Sequence, residues 1–503
     1  MVNTVWSVVP PIIAIALALI TKEVYVSLLV GILAGALFYT GFHVLGAVET
    51  AFQVMGEKAA GGNFSILVFL VLLGILVSVM NKSGASRAYG VWATKTIRSR
   101  RGALGATIGL GSLIFVDDYF NCLTVGTIMQ PITDKYHITR AKLAYIIDAT
   151  AAPVCIIAPI SSWAAAVGSS LPQGSGMDGF TLFLKTIPFN LYALLTLTML
   201  VVLVVYDFDF GTMKKHAAEG KDAAVKGPAG GDIPKKDGRP GRVMDLVIPI
   251  AALIVSSVAF MIYTGGFFGG GVSLVQAFAG CDAPTALVLG AFTTLVITFV
   301  LYMLGRVMTF RAFAESIVDG FRAMVPALLI LLLAWTLSSI CCDYLQTGVY
   351  VGELVEKYNI AHTILPAIFF LIALGLAFST GTSWGTFGIL IPIVVPAFAQ
   401  NSTILVISVA AVLAGAVCGD HISPISDTTI MASTGAQCPH MEHVSTQIPY
   451  ALTVAAVCLV GFILAGFTQS FGMPYGWAVL LTLGVSLALL LAVLTLLYRR
   501  TKA

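Results

Sequence analysis

The chain has 503 residues, 58% of them hydrophobic and only 10% charged, with a formal net charge of +3. Soluble domains carry roughly 25% charged residues, so that class is excluded. No nucleic-acid partner is expected; the partner implied by the composition is the lipid bilayer.

In chain order, residues 1–21 contain no Lys or Arg. They lack the basic head and cleavage site of a signal peptide and read as a retained first helix. Apolar periodicity predicts spans near 5–20, 24–40, 63–81 and 102–116. A short hairpin-like segment follows at 119–131, then an interrupted segment at 143–170 and a span at 181–206. Residues 207–242, rich in Gly, Pro and mixed charge, read as a flexible cytoplasmic tether. Further spans are predicted near 244–263, 284–304, 323–342 and 363–378. A short segment at 384–398, an interrupted region at 403–435, a span at 447–467 and an added helix at 475–498 complete the chain. The stretches 246–281, 323–342, 363–419 and 449–498 hold no Asp, Glu, Lys or Arg. Continuous apolar runs of this kind are helices, because backbone groups in lipid must bond within their own segment.

The second half repeats the first. AVETAF (47–52) matches FAESIV (313–318), TIPFNLYALL (186–195) matches TQIPYALTVA (446–455), and AAP (151–153) is aligned with ISP (422–424). Loop charge sets orientation. The 82–101 loop carries Lys82, Arg87, Lys95, Arg98, Arg100 and Arg101 with no acid, and should be inside. Its counterpart, 343–361, has Asp343, Glu353 and Glu356 against Lys357, and should be outside. The 305–322 loop, with Arg306, Arg311 and Arg322, should be inside; its partner, 41–62, has Lys58 with Glu49 and Glu57. The expected fold class is therefore an all-α polytopic membrane protein of two inverted-topology repeats with re-entrant hairpins and broken helices. Its parts are 1–206, the linker 207–242, 243–470, and an extra helix with cytoplasmic tail at 471–503. The N-terminus lies outside and the C-terminus, with Arg499, Arg500 and Lys502, inside.

Polar residues recur where a span should be oily, and such residues mark ion or substrate paths. Asp117 and Asp118 are adjacent carboxylates whose mutual repulsion favours a bound cation or proton. With Asn121 and Thr124 they supply the oxygens that a hard cation wants. One of the two acids could equally cap a half-helix. Asp148 sits in LAYIIDATAAPVCIIAP, with Lys142 as its structural partner in the bland reading. Pro153 opens carbonyls, and Thr150, Ser161 and Ser162 extend a cage, unless their hydroxyls bond back to their own helices. In the second half, Ser379, Thr380, Thr382 and Ser383 form a hydroxyl-rich turn suited to an anionic or carbonyl group. Asp420, His421, Ser423, Ser426 and Asp427 follow. His421 could take a proton near neutral pH, or simply bond Asp420 or a carbonyl. Trp163 and Trp384 stand beside these turns, as cavity lining or as packing. GALGATIGLGS (102–112) and LAGAVCG (413–419) read as packing seams. The eight cysteines show no CxxC and read as buried thiols.

The segments Asp117-Asp118-Tyr119-Phe120-Asn121, Asp148 to Pro153, Ser379 to Trp384 and Gly419 to Asp427 resemble the NhaC-type Na+/H+ antiporter family, within the ion transporter superfamily. The resemblance covers almost the whole chain. It implies a secondary antiporter of the inner membrane, an elevator-like carrier part moving against a scaffold, and often a homodimer. Na+ and H+ would be the coupling ions, with Na+ at Asp117, Asp118, Asp148 and Asp420 and no bound cofactor. Coupled transport of a small carboxylate or amino acid is the alternative cargo. An intramembrane enzyme is a reading of another class: Asp117-Asp118 begins a DDxxD-like pattern, but Asn121 breaks it and no second acidic copy exists. A channel is disfavoured by the internal repeat, and ATP-driven pumping by the lack of a P-loop.

Overall fold

The computed structural model describes residues 1–21, 23–61, 64–85, 88, 92, 95–115, 117–171, 178–219, 241–274, 277, 281–347, 350, 363–398, 402–424 and 426–502. Among the described residues every regular element is helical. The first half comprises α1 (Val9–Thr21), α2 (Val24–Tyr39), α3 (Val44–Ala60), α4 (Phe64–Lys82), α5 (Arg100–Leu113), α6 (Asp118–Lys135) and α7 (Arg140–Thr150). After a single turn at Ala152–Cys155 come α8 (Ser162–Ser169), α9 (Gly179–Thr186), α10 (Leu191–Tyr206) and α11 (Gly211–Glu219). The second half comprises α12 (Met244–Thr264), α13 (Ala283–Leu304), α14 (Phe310–Ser339), α15 (Leu365–Thr380) and α16 (Ser383–Val394). It ends with α17 (Thr403–Ile422), α18 (Asp427–Ala436), α19 (His440–Ser470) and α20 (Tyr475–Lys502). Among the described residues eight helices are long and apolar enough to cross a membrane, so this is a multi-pass membrane protein.

The predicted breaks are present, and they are duplicated in register. Identical separations divide Arg100 from Leu365, Asp118 from Ser383, and Ser162 from Asp427, the first residues of α5/α15, α6/α16 and α8/α18. Pro159 and Pro424, and Ser161 and Ser426, keep that same separation. This corrects the alignment of AAP (151–153) with ISP (422–424). The true counterpart of Ser423-Pro424 is Ala158-Pro159, and the kink at Ala151 has no partner, because α17 runs unbroken through the corresponding stretch.

The helices sort into two groups. In one, α4 packs on α13 and α14, α14 also packs on α2 and α3, and α12 lies against α13. In the other, α7 and α17 are the central rods: residues 141–150 and 405–422 are buried throughout. A helix apolar all round belongs in such a core. Around them pack α6, α10, α15, α16, α18 and α19. The groups meet where α14 lies along α16 and α4 touches α8. Of the two predicted seams, the second is confirmed. A Cβ on Gly415 or Gly419 would collide with the Phe370 or Leu374 carbonyl of α15. In the first seam only Gly111 is tight, against Thr150, while Gly105 and Gly109 face open space. The seven described cysteines are free and buried.

Most of the expected loops 41–62 and 305–322 is helical, as α3 and the first turns of α14, and ion pairs join these segments to their neighbours. Lys82 pairs with Asp319 at 2.5 Å, and Lys58 with Asp343 at 3.4 Å. Asn3 N donates to Leu345 O, and Thr347 Oγ1 to Ser7 O. Of the residues used above to orient the loops, Arg87, Glu353, Glu356 and Lys357 lie outside the described residues, as does 220–240 of the linker. The start of the linker is not the flexible tether expected. Asp209 pairs with Lys142 of α7 at 2.9 Å and accepts from Tyr450 Oη of α19 at 2.6 Å. Then α11 packs on α19, with Thr212 donating to Ser445 O and His216 against Glu442 at 3.0 Å. Lys142 is therefore not the partner of Asp148.

Removing Asp209 would leave the buried Lys142 charge uncompensated, at a cost of about 3–5 kcal/mol. Asp209→Asn should melt markedly earlier than the parent in detergent, and Lys142→Met in the same chain should recover most of the loss. Equal melting temperatures for Asp209→Asn and the parent would show that the pair does not fasten the linker.

Candidate functional site

Asp148 stands near the end of α7, and second-half side chains receive its carboxylate. Its Oδ2 accepts from Thr429 Oγ1 of α18 at 3.0 Å and Gln447 Nε2 of α19 at 3.1 Å, and it lies 3.2 Å from His443 Nε2. His421 Nε2 of α17 is 3.8 Å away. The His421 ring pairs through Nδ1 with Tyr192 Oη at 2.8 Å and stacks on Tyr145. Gln447 Nε2 also reaches His421 O. His421 therefore bonds neither Asp420 nor a carbonyl through its ring, but joins the Asp148 cluster. A carboxylate and two imidazoles share this buried space, with Tyr145 and Tyr192 facing them.

Asp117 and Asp118 sit at the break between α5 and α6. Asp117 Oδ2 accepts from Ser162 Oγ at 3.4 Å, and Asp118 Oδ1 from Tyr119 N at 3.2 Å. Asn121 Nδ2 donates to Gly111 O at 2.6 Å and to Ile114 O and Thr150 O at 3.1 Å. It thereby fastens the open end of α5 to the end of α7. Its Oδ1 is fully buried with no hydrogen-bond donor. Thr124 Oγ1 donates to Asn81 Oδ1 of α4 at 3.2 Å, across the boundary between the two helix groups. Cys122, buried on α6, lies within electrostatic reach of Asp117, Asp118 and Asp148.

At the second-half break, Asp420 Oδ2 accepts from Ser383 Oγ at 2.7 Å and Ser383 N at 3.3 Å. The hydroxyl-rich turn is thus already faced by a carboxylate of the chain itself. Ser379 and Thr380 bond back to Gly375 O and Leu376 O, while Thr382 caps α16 by accepting from Gly385 N. Ser423 donates to Phe378 O at 2.6 Å. Ser161 and Ser426 are the N-caps of α8 and α18, accepting from Ala164 N and Thr429 N. Thr150 bonds back to Ile146 O. The Asp427 side chain lies outside the described residues. Among the described residues no three of the His, Cys, Asp and Glu side chains converge as metal ligands. The four acids proposed from sequence thus fall into separate groups: Asp117 with Asp118, Asp148 with the imidazoles, and Asp420 with Ser383.

Sequence reading missed His443, Gln447 and Thr429. The available signal was the pair His443 and Gln447, four residues apart and so on one face of a helix entering an apolar run.

The sequence profile of the Na+/H+ antiporter family matches residues 163–467. An uncharacterized protein of Haemophilus influenzae is 39% identical over 485 residues, covering 93% of this chain and 92% of that protein. The malate-2H(+)/Na(+)-lactate antiporter of Bacillus subtilis is 29% identical over 168 residues, 31% of this chain and 34% of that protein. The solved structure of Neisseria gonorrhoeae MtrF, from a class of antimetabolite efflux pumps, superposes with a TM-score of 0.53 at 12% identity, covering 84% of each chain. At that identity the likeness is one of fold alone.

Asn121 works in the fold through its two donor hydrogens. Asn121→Ala should lower the melting temperature, with a cost of about 2–3 kcal/mol for the buried carbonyls left without donors. Asn121→Asp, isosteric but with no donors when ionised, should be no better. An Asp variant as stable as the parent would refute the bridging role.

Proposed function

The chain belongs to the Na+/H+ antiporter family, and on that premise we propose that it exchanges Na+ for H+ across the inner membrane by elevator-type alternating access. The observation that carries this reading is the Asp148 cluster. A carboxylate from the first half, two imidazoles and an amide from the second meet in a buried site, where protonation of any one changes the charge seen by the rest. That is what a proton-carrying site needs. Asp117, Asp118 and the buried Oδ1 of Asn121, one helical turn from both acids, offer the all-oxygen surroundings that Na+ takes as cargo. Asn121 bonds Thr150 O, two residues from Asp148, so Na+ at one group and a proton at the other would oppose each other.

The inverted topology is supported by the ion pairs. The loops 41–62 and 305–322 are equivalents in the two halves, as are 82–101 and 343–361. Yet Lys82 meets Asp319, and Lys58 meets Asp343: each bridge joins loops that are not equivalents. Lys214 Nζ donates to Thr501 O, which brings the linker's start beside the C-terminal tail and supports an inner location for both by the charge rule. The elevator reading is supported by the confinement of every break to one helix group, with α4 and α14 of the other group as the wall it would slide along. A small organic acid as additional cargo is favoured by the name of the Bacillus subtilis relative.

In proteoliposomes an imposed Na+ gradient should generate a pH gradient. Asp148→Asn should cut that flux at least tenfold with expression retained. Protons and Na+ compete, so the apparent KM for Na+ should rise as pH falls. Absence of Na+-driven proton movement, or normal exchange by Asp148→Asn, would reject the proposal. Topology is tested separately with a membrane-impermeant maleimide on intact cells. Glu49→Cys should label from outside and Arg311→Cys only after permeabilisation; labelling of both from one side would refute the inversion.

A further inference from the structure

Two half-helices from different halves of the chain begin alike. Ser161-Ser162-Trp163 opens α8, and Thr382-Ser383-Trp384 opens α16. In each, the first residue is the hydroxyl N-cap. In each, the serine meets a carboxylate, Ser162 with Asp117 and Ser383 with Asp420. In each, the tryptophan is the second residue of the helix. The two indoles meet edge to face at a centroid separation of 6.0 Å, and Phe387 lies against both. Trp163 is 0% exposed and Trp384 4%, and among the described residues neither Nε1 has an acceptor. A buried donor left without an acceptor is costly, and tryptophan ordinarily finds one. Two such donors, on indoles in contact with each other, point to a ligand with acceptor oxygens.

Charge constrains that ligand further. Asp117 and Asp420 stand one residue from the two indoles, at the helix ends whose dipoles they satisfy. A bare anion entering between them would be repelled, whereas an anion accompanied by a cation would not.

We propose that Trp163 and Trp384 form the binding site for a small carboxylate solute that enters only together with Na+. The indole N–H groups take the carboxylate oxygens, and Na+ on the Asp117 side offsets the flanking acids. This rests on the transporter reading above and adds the cargo class and its residues.

The test is equilibrium binding of L-lactate and L-malate to the purified full chain in nanodiscs, in Na+ and in choline. Wild type should bind one of them in Na+ and at least tenfold more weakly in choline. Trp163→Phe and Trp384→Phe keep the ring packing and should each weaken binding at least tenfold, with melting temperature held as the control for folding. Asp117→Asn, which removes one flanking charge, should lessen the Na+ requirement. Binding that is equal in choline, Phe variants that bind like wild type, no binding of either acid, or binding only of alkylammonium ions would overturn the proposal. Because this is a binding measurement, it fails or succeeds apart from Na+-driven proton flux. Flux with no tryptophan-dependent carboxylate binding would sink this inference alone.

Discussion

A charged carboxylate cannot be left alone in a low-dielectric interior, and Asp148 is the place where this chain meets that constraint. Its helix, α7, is buried from Ala141 to Thr150, and among the described residues no first-half cation pairs with it. Lys142, on the same helix, is taken by Asp209. The partners come instead from α17, α18 and α19. The first half therefore cannot satisfy its own central acid until the second half folds around it. The same contact that completes the core joins the two halves through one carboxylate.

The paired breaks follow a related logic. Opening a helix in a membrane frees backbone groups that must be satisfied locally. Here hydroxyl N-caps at Ser161, Thr382 and Ser426, and the Asn121 amide, perform that service. The half-helix ends are further answered by Asp117 and Asp420. The hydroxyl-rich turn at Ser379–Ser383 looked in sequence like a receptor for an external anion. The fold shows that part of that demand is met by Asp420, brought up by α17. Sequence could not reveal this, because the acid and the turn are separated by α16 and the loop that returns from it.

Much of the architecture was legible. Apolar runs of fixed length and the Pro, Gly and hydroxyl punctuation placed most spans and the breaks near the helix ends, but the amphipathic α3 and the first turns of α14 were read as loops. What failed were inferences about pairing. Lys142 seemed to be the partner of Asp148 because it lies six residues away on the same segment, yet the linker reaches back to claim it. The linker's Gly and Pro content concealed the Asp209 anchor and α11, since a few specific contacts outweigh average composition over a short stretch. His443 and Gln447 were passed over because they flank a span rather than interrupt one, and only tertiary packing of α19 on α7 brings them to the acid. Ser379, Thr380 and Thr150 were legible as polar, but their hydroxyls bond to their own helices, an outcome that sequence leaves open.

Three pairs of helix starts are duplicated at one spacing but not in chemistry. Asp118 and Ser383 occupy equivalent helix starts, yet one is an acid and the other a hydroxyl. Ser162 and Asp427 reverse the assignment. Two identical halves would present the same chemistry at both breaks, whereas here one break carries two acids and the other a hydroxyl-rich turn. The α5–α6 break holds Asp117 and Asp118, Asp148 meets the imidazoles, and the Asn121 amide bonded to Thr150 O joins the two groups. Two chemically different positions linked in this way are what the proposed exchange of a cation for a proton draws on.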